Sequence, residues 1–139
     1  MDRIRLFGWI YFLGFMAIVG LDFVPQFNDD QGRLFGLFTL DFYDNSLHFA
    51  SGAWAAIAAW RSREAAATYF RIFGPLYFLD GVMGFLLGSG YLDGGIFIYG
   101  VLELSWMIKF FANVPHLIIG GLAAWIGYRL ARVPQPVAA

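Results

Sequence analysis

Asn45-Ser-Leu-His48-Phe-Ala-Ser-Gly52 and Asn113-Val-Pro-His116-Leu-Ile-Ile-Gly120 carry one pattern, N-x-x-H-x-x-x-G. Each copy is followed by a run rich in Ala, Gly and Trp, and then by an arginine. Leu34-Phe-Gly-Leu-Phe-Thr-Leu precedes the first copy and Ile98-Tyr-Gly-Val-Leu-Glu-Leu the second, so the likeness extends beyond one motif. The second copy has a few more residues in between, about one helical turn. Such a repetition reads as a duplicated helical hairpin with the motif at the same place in each half.

Composition sets the solvent. The chain is 60% hydrophobic and 14% charged, against roughly 45–50% and 25% in an average soluble domain. A soluble chain of 139 residues has too much surface to hide that much apolar side chain. Sixteen Phe, five Trp and seven Tyr suit a lipid boundary, where aromatic rings sit at headgroup level. Cysteine is absent, which removes disulfides, thiolate metal sites and Cys nucleophiles. No basic block of the kind that grips nucleic acid is present.

In chain order, Ile4 to Val24 is long enough to cross a hydrocarbon core of about 30 Å. It lacks a small-x-small cleavage site before Pro25, so it reads as a retained span and not as a signal peptide. Gln26 to Arg33 is a polar loop, and Leu34 to Leu40 is apolar but too short to span. Asn45 to Arg61 is the weakest span on hydropathy. Its Ser51, Gly52, Ala53, Ala55, Ala56, Ala58 and Ala59 leave a small surface that lets helix backbones approach closely. Arg61 to Ala67 reads as a link, followed by a third span from Tyr69 to Gly88 with a Gly84/Gly88 pair. Ile96 to Phe111, interrupted by Glu103 and Lys109, reads as interfacial or re-entrant. Pro115 suits an early position in a last span from Asn113 to Leu130. Val133 to Ala139 has nothing to pack and reads as a disordered cytoplasmic tail.

Charge placement orients the spans. Arg3, Arg5, Arg61, Arg63, Arg71, Arg129 and Arg132 fall at one set of helix ends. The other connections hold Arg33 and Lys109 among Asp29, Asp30, Asp41, Asp44, Asp93 and Glu103. The positive-inside rule then makes both termini cytoplasmic, and four spans fit where five would put Arg129 and Arg132 outside. The expected architecture is an all-α integral membrane protein, one domain over residues 1–132. Its four transmembrane helices form two parallel repeated hairpins, about 4–64 and 69–132.

Three groups of residues bear on chemistry. Asn45 and Asn113 at helix starts can serve as N-caps, with His48 and His116 where a capping box places its Glu or Gln. The same histidines, facing the bundle at one depth, could instead ligate a haem iron axially or help form a metal or quinone site. Gly52 and Gly120 would then give a macrocycle room, though they serve helix packing equally well. Asp80 lies inside the third span, where an ionised carboxylate is expensive, so it should face the interior with Ser51 or a histidine as partner. Its readings are proton transfer, cation coordination, or one interhelical hydrogen bond. Gly52, Gly84, Gly88 and Gly120 read as helix packing. No hydrolase triad, phosphate loop, HExxH or nucleotide motif is present.

The duplicated N-x-x-H-x-x-x-G hairpin, the Arg-rich link and the length resemble a bacterial four-helix membrane family, domain of unknown function 4383. The likeness runs from about Ile4 to Arg132. In that family the pattern commonly reads N-x-x-H-L-x-x-G in both halves, whereas here His48 is followed by Phe. The resemblance implies a multi-pass protein of the bacterial inner membrane and assigns no activity. The leading functional expectation is a non-enzymatic accessory, assembly or structural subunit. Its partners would be the bilayer and a second membrane protein or copy, met through small-residue helix faces. The alternatives are a bis-histidine haem or other redox bundle, and a small proton-linked transporter using Asp80.

Overall fold

The computed structural model describes residues 2–132; the tail read as disordered, 133–139, lies outside them. Five α-helices follow in order: α1 Arg3–Asp22, α2 Phe42–Arg61, α3 Arg63–Leu87, a short α4 Gly95–Tyr99, and α5 Trp106–Tyr128. Four are main helices. Of these α1, α3 and the segment Trp106–Arg132 are long and apolar enough to cross a membrane. The small, weakly hydropathic α2 does not meet that measure, although its 20 residues match α1 in length.

Helix starts differ from the sequence reading at three places, each for a local reason. Asp41, not Asn45, caps α2: its carboxylate accepts from the amides of Tyr43 and Asp44, and the Asp44 carboxylate accepts from the Asp41 amide. Two carboxylates thus supply a capping box upstream of the motif. Arg61 to Ala67 is no link: Ser62 alone joins α2 to α3, and its hydroxyl accepts from the Ala65 amide to cap the new helix. Helix α3 therefore begins at Arg63, six residues before Tyr69. Helix α5 begins at Trp106 under a Ser105 cap, which places Pro115 inside the helix. The segment 96–111 consequently splits, its first part forming α4 and its last part the opening turns of α5.

The helices pack in pairs, α1 on α2 and α3 on α5. Glycine makes both contacts close. A side chain at Gly8 would strike Ala59, and one at Gly52 would strike Met16 and Phe15. In the second pair Gly74 lies on the backbone of Ala123 and Ala124, Gly120 on that of Phe78, and Gly127 on that of Arg71. The step along the chain from Gly8 to Arg71 equals that from Phe15 to Phe78, so the two pairs mesh at corresponding heights. Gly88 is different. It sits at φ 83° as the left-handed residue ending α3, where a Cβ would run into the Leu102 carbonyl. It is a terminating glycine and not part of a packing pair.

Aromatic rings tie the two pairs together. Tyr69, Phe73 and Tyr77 repeat every four residues on one face of α3. They stack at 5.0 Å with 8° between planes, then 4.8 Å with 26°. Tyr11 of α1 meets Phe70 edge-on at 5.0 Å and donates through its hydroxyl to the Ile119 carbonyl of α5 at 2.7 Å. In lipid, where apolar burial gives little drive between helices, such packing and hydrogen bonds hold the bundle.

At the arginine-rich end, guanidinium groups close the carbonyl ends of neighbouring helices. Arg5 Nε donates to the Ala59 carbonyl at 2.6 Å and Arg71 Nε to that of Gly127 at 3.0 Å. Ala59 and Gly127 follow their respective motif histidines by the same number of residues. Arg63 joins the Asp2 carboxylate and the Ala131 carbonyl. Each cation meets the negative end of a helix dipole.

Candidate functional site

The stacked column of α3 continues onto the second motif. The Tyr77 ring lies on the His116 ring at 4.3 Å and 22°, and Asp80 follows Tyr77 by three residues on the same helical face. Asp80 is 2% exposed. Its Oδ2 meets His116 Nδ1 at 2.9 Å. Its Oδ1 accepts the backbone amides of Tyr91 and Leu92 at 2.7 and 2.9 Å. The chain after α3 thus folds back beside its own helix, and the Tyr91 hydroxyl donates to the Leu76 carbonyl at 2.7 Å. Gly90 permits this: a Cβ there would press on the Asp80 carboxylate.

The first motif meets the same column from α2. His48 is buried, with its Nε2 3.2 Å from the Tyr77 hydroxyl and its ring 5.7 Å from that of Phe15. The two histidine rings are 6.4 Å apart and perpendicular, at 88°. Tyr77 therefore joins both motifs, bonding one histidine through its hydroxyl and stacking on the other. One turn outward, the Asn45 amide donates to Asp22 Oδ2 of α1 at 2.7 Å. Asn113 is buried and donates to the Lys109 carbonyl at 2.9 Å; Gly84 leaves room for its side chain.

These positions revise several readings. Neither asparagine is a cap, because each helix has already begun upstream. Asn45 links α1 to α2, and Asn113 serves its own helix ahead of Pro115. Ser51 is buried but lines a cleft of about 200 Å³ with Leu47, Ala50, Trp54, Phe73, Leu76 and Leu92; the Asp80 partner is His116. The residues do not fit a haem between the histidines. Phe15 and Met16 fill the space at Gly52, the Phe78 backbone fills that at Gly120, and Tyr77 covers a face of His116. Among the described residues no group of three or more His, Asp or Glu is arranged to hold a metal ion.

The N-x-x-H motif points to neither Tyr77 nor the loop amides. The Tyr77 signal was present in the Tyr69, Phe73, Tyr77, Asp80 spacing, which sets three rings and an acid on one face. The Tyr91 and Leu92 amides carry no such signal, since any residue type supplies a backbone N–H. Outside the helices, burial raises the Asp41 carboxyl, but hydrogen bonds from the Asp44 amide, the Tyr99 hydroxyl and the Tyr43 amide outweigh it and hold the group below the usual carboxylate range. The Tyr99 hydroxyl reaches Asp41 at 2.8 Å, so α4 is tethered to the start of α2.

No curated protein and no solved structure matches the sequence. The family described as Domain of unknown function (DUF4383) matches residues 5–129. With nearly its whole length so covered, the chain belongs to the DUF4383 family.

Proposed function

We propose that this is a non-enzymatic membrane protein of the bacterial inner membrane in which all four main helices span the bilayer, both termini are cytoplasmic, and the paired motifs form a structural clamp. An accessory or assembly role is the function class that fits. The observation that carries the clamp reading is the use of Asp80: both carboxylate oxygens are engaged, by two loop amides and one imidazole. Such an acid joins α3, α5 and the returning loop and has an evident structural role. Corresponding glycine contacts in the two helix pairs support a duplicated hairpin. Helix α2, packed on both α1 and α3, is carried across with them; its buried Ser51, Gly52, Ala55, Ala58 and Ala59 are used within the chain. A partner would therefore meet the outer aromatic faces and not this small-residue face.

A second reading has one observation in its favour. His48, Tyr77, His116 and Asp80 form a contiguous set of ionisable side chains inside the bundle, the arrangement proton-linked membrane proteins use. Proteoliposomes with a trapped pH dye separate the two. On the clamp reading, an imposed pH gradient decays at the same rate with and without the protein. Decay that the protein accelerates and that Asp80→Asn abolishes, with fold retained, would overturn the clamp and establish proton transfer.

A further inference from the structure

The two ends of the bundle treat their cations differently. Arg33 and Lys109, at the acidic end, are both bonded within the protein, to Asp29 and to the Leu86 carbonyl. At the opposite end Arg5, Arg63 and Arg71 are turned onto helix carbonyls. Those same bonds gather the start of α1, the end of α2, the start of α3 and the end of α5 at one level. Four further arginines of that end, Arg3, Arg61, Arg129 and Arg132, are exposed and make no hydrogen bond or ion pair among the described residues. Glu64 and Asp2 are the acids there, and Asp2 is occupied by the α1 cap and Arg63. Among the described residues, four guanidinium groups without a partner thus face the one unpaired carboxylate of Glu64.

Trp60 stands next to Arg61 at 72% exposure and Tyr128 next to Arg129 at 44%. The Tyr128 hydroxyl is held by the Arg71 carbonyl, but an exposed indole such as Trp60 settles at headgroup level, which sets Arg61 and the arginines gathered with it at the phosphate plane. Arginine's planar fork matches phosphate oxygens in pairs. We infer that Arg3, Arg61, Arg129 and Arg132 form a binding surface for anionic phospholipid headgroups in the leaflet at that end. This rests on the reading that the helices cross the bilayer, and each cation near an anionic surface adds about five-fold to lipid preference.

The full chain is placed in mixed micelles of equal phosphatidylcholine and phosphatidylglycerol, and retained lipid is measured by native mass spectrometry. The wild type should retain phosphatidylglycerol over phosphatidylcholine by at least about ten-fold, and lose the preference as KCl is raised. The combined Arg3→Gln, Arg61→Gln, Arg129→Gln and Arg132→Gln variant should retain the two equally, while Arg33→Gln leaves the preference intact. If the combined variant fails to insert, the salt titration of the wild type decides alone. A wild type without preference, or one indifferent to salt, overturns the inference. So does displacement of phosphatidylglycerol by millimolar inorganic phosphate, which would mark a free-anion site. Extraction of the chain by alkaline carbonate would overturn the spanning reading and this surface with it; resistance to carbonate without a lipid preference overturns the surface alone.

Discussion

Replacing Asp80 with Ala removes the acceptor for two partly buried amides and one imidazole together. Unsatisfied groups of this kind cost about 1–3 kcal/mol each, partly relieved by water at the loop. Asp80→Ala should therefore destabilise the bundle by roughly 3 kcal/mol, and Asp80→Asn, which keeps one acceptor oxygen, by about 1 kcal/mol. Equilibrium unfolding in mixed detergent and SDS measures both. Asp29 supplies a pH-dependent counterpart outside the spans. Hydrogen bonding from the Arg33 amide, joined by the Arg33 side chain and the Gln31 amide, holds its carboxyl below the usual carboxylate range. A depressed folded-state value means that the ordering of this turn is complete above the unfolded carboxylate value, about 3.9, and is lost as pH falls through the lower folded value. Protection of the Gln31 and Arg33 amides, taken relative to the intrinsic exchange rate at each pH, should hold at pH 5 and fall only on strong acidification. Loss of protection setting in above pH 5 would contradict this assignment.

At the scale of elements, glycine position separates contact from composition. Gly74 and Gly120 have neighbouring backbone where a Cβ would stand, while Gly14 and Gly20 have nothing within 4 Å. Gly120→Val should force α3 and α5 apart at a cost of about 3 kcal/mol or more. Gly14→Ala should be neutral or stabilising by up to about 1 kcal/mol, through helix propensity. The same unfolding assay ranks them, and equal effects would refute the packing described for α3 and α5. The arginine clamps belong to this scale too. Arg71→Ala leaves the Gly127 carbonyl without its guanidinium and should lower stability by about 1 kcal/mol.

For the whole molecule, topology is the measurable quantity, and the absence of cysteine makes it clean to measure. A cysteine at Gln31 should react with a membrane-impermeant maleimide added to intact cells, whereas one at Glu64 should react only after the membrane is opened. Equal labelling of both in intact cells would exclude the proposed orientation. The two helix pairs and the aromatic column between them also predict one cooperative unit, since Tyr11, Tyr69 and Phe73 join α1 to α3. Loss of Tyr11 should therefore loosen both hairpins together.

Much of this architecture is legible in the chain. Apolar length, segregated arginines and the recurring N-x-x-H-x-x-x-G pattern give an all-α membrane protein and place its main helices, because hydropathy and charge are properties each segment carries alone. The meeting of His48 and His116 also follows from the recurrence of one motif on two helices. Helix starts were less legible, since Asp41, Ser62 and Ser105 are ordinary polar residues until a backbone amide comes within reach. The partner of Asp80 and the role of Tyr77 were decided only by tertiary structure. A side chain shared among α2, α3 and α5, and an acid bonded by amides of a returning loop, depend on distances between segments far apart in sequence, and no local pattern encodes them.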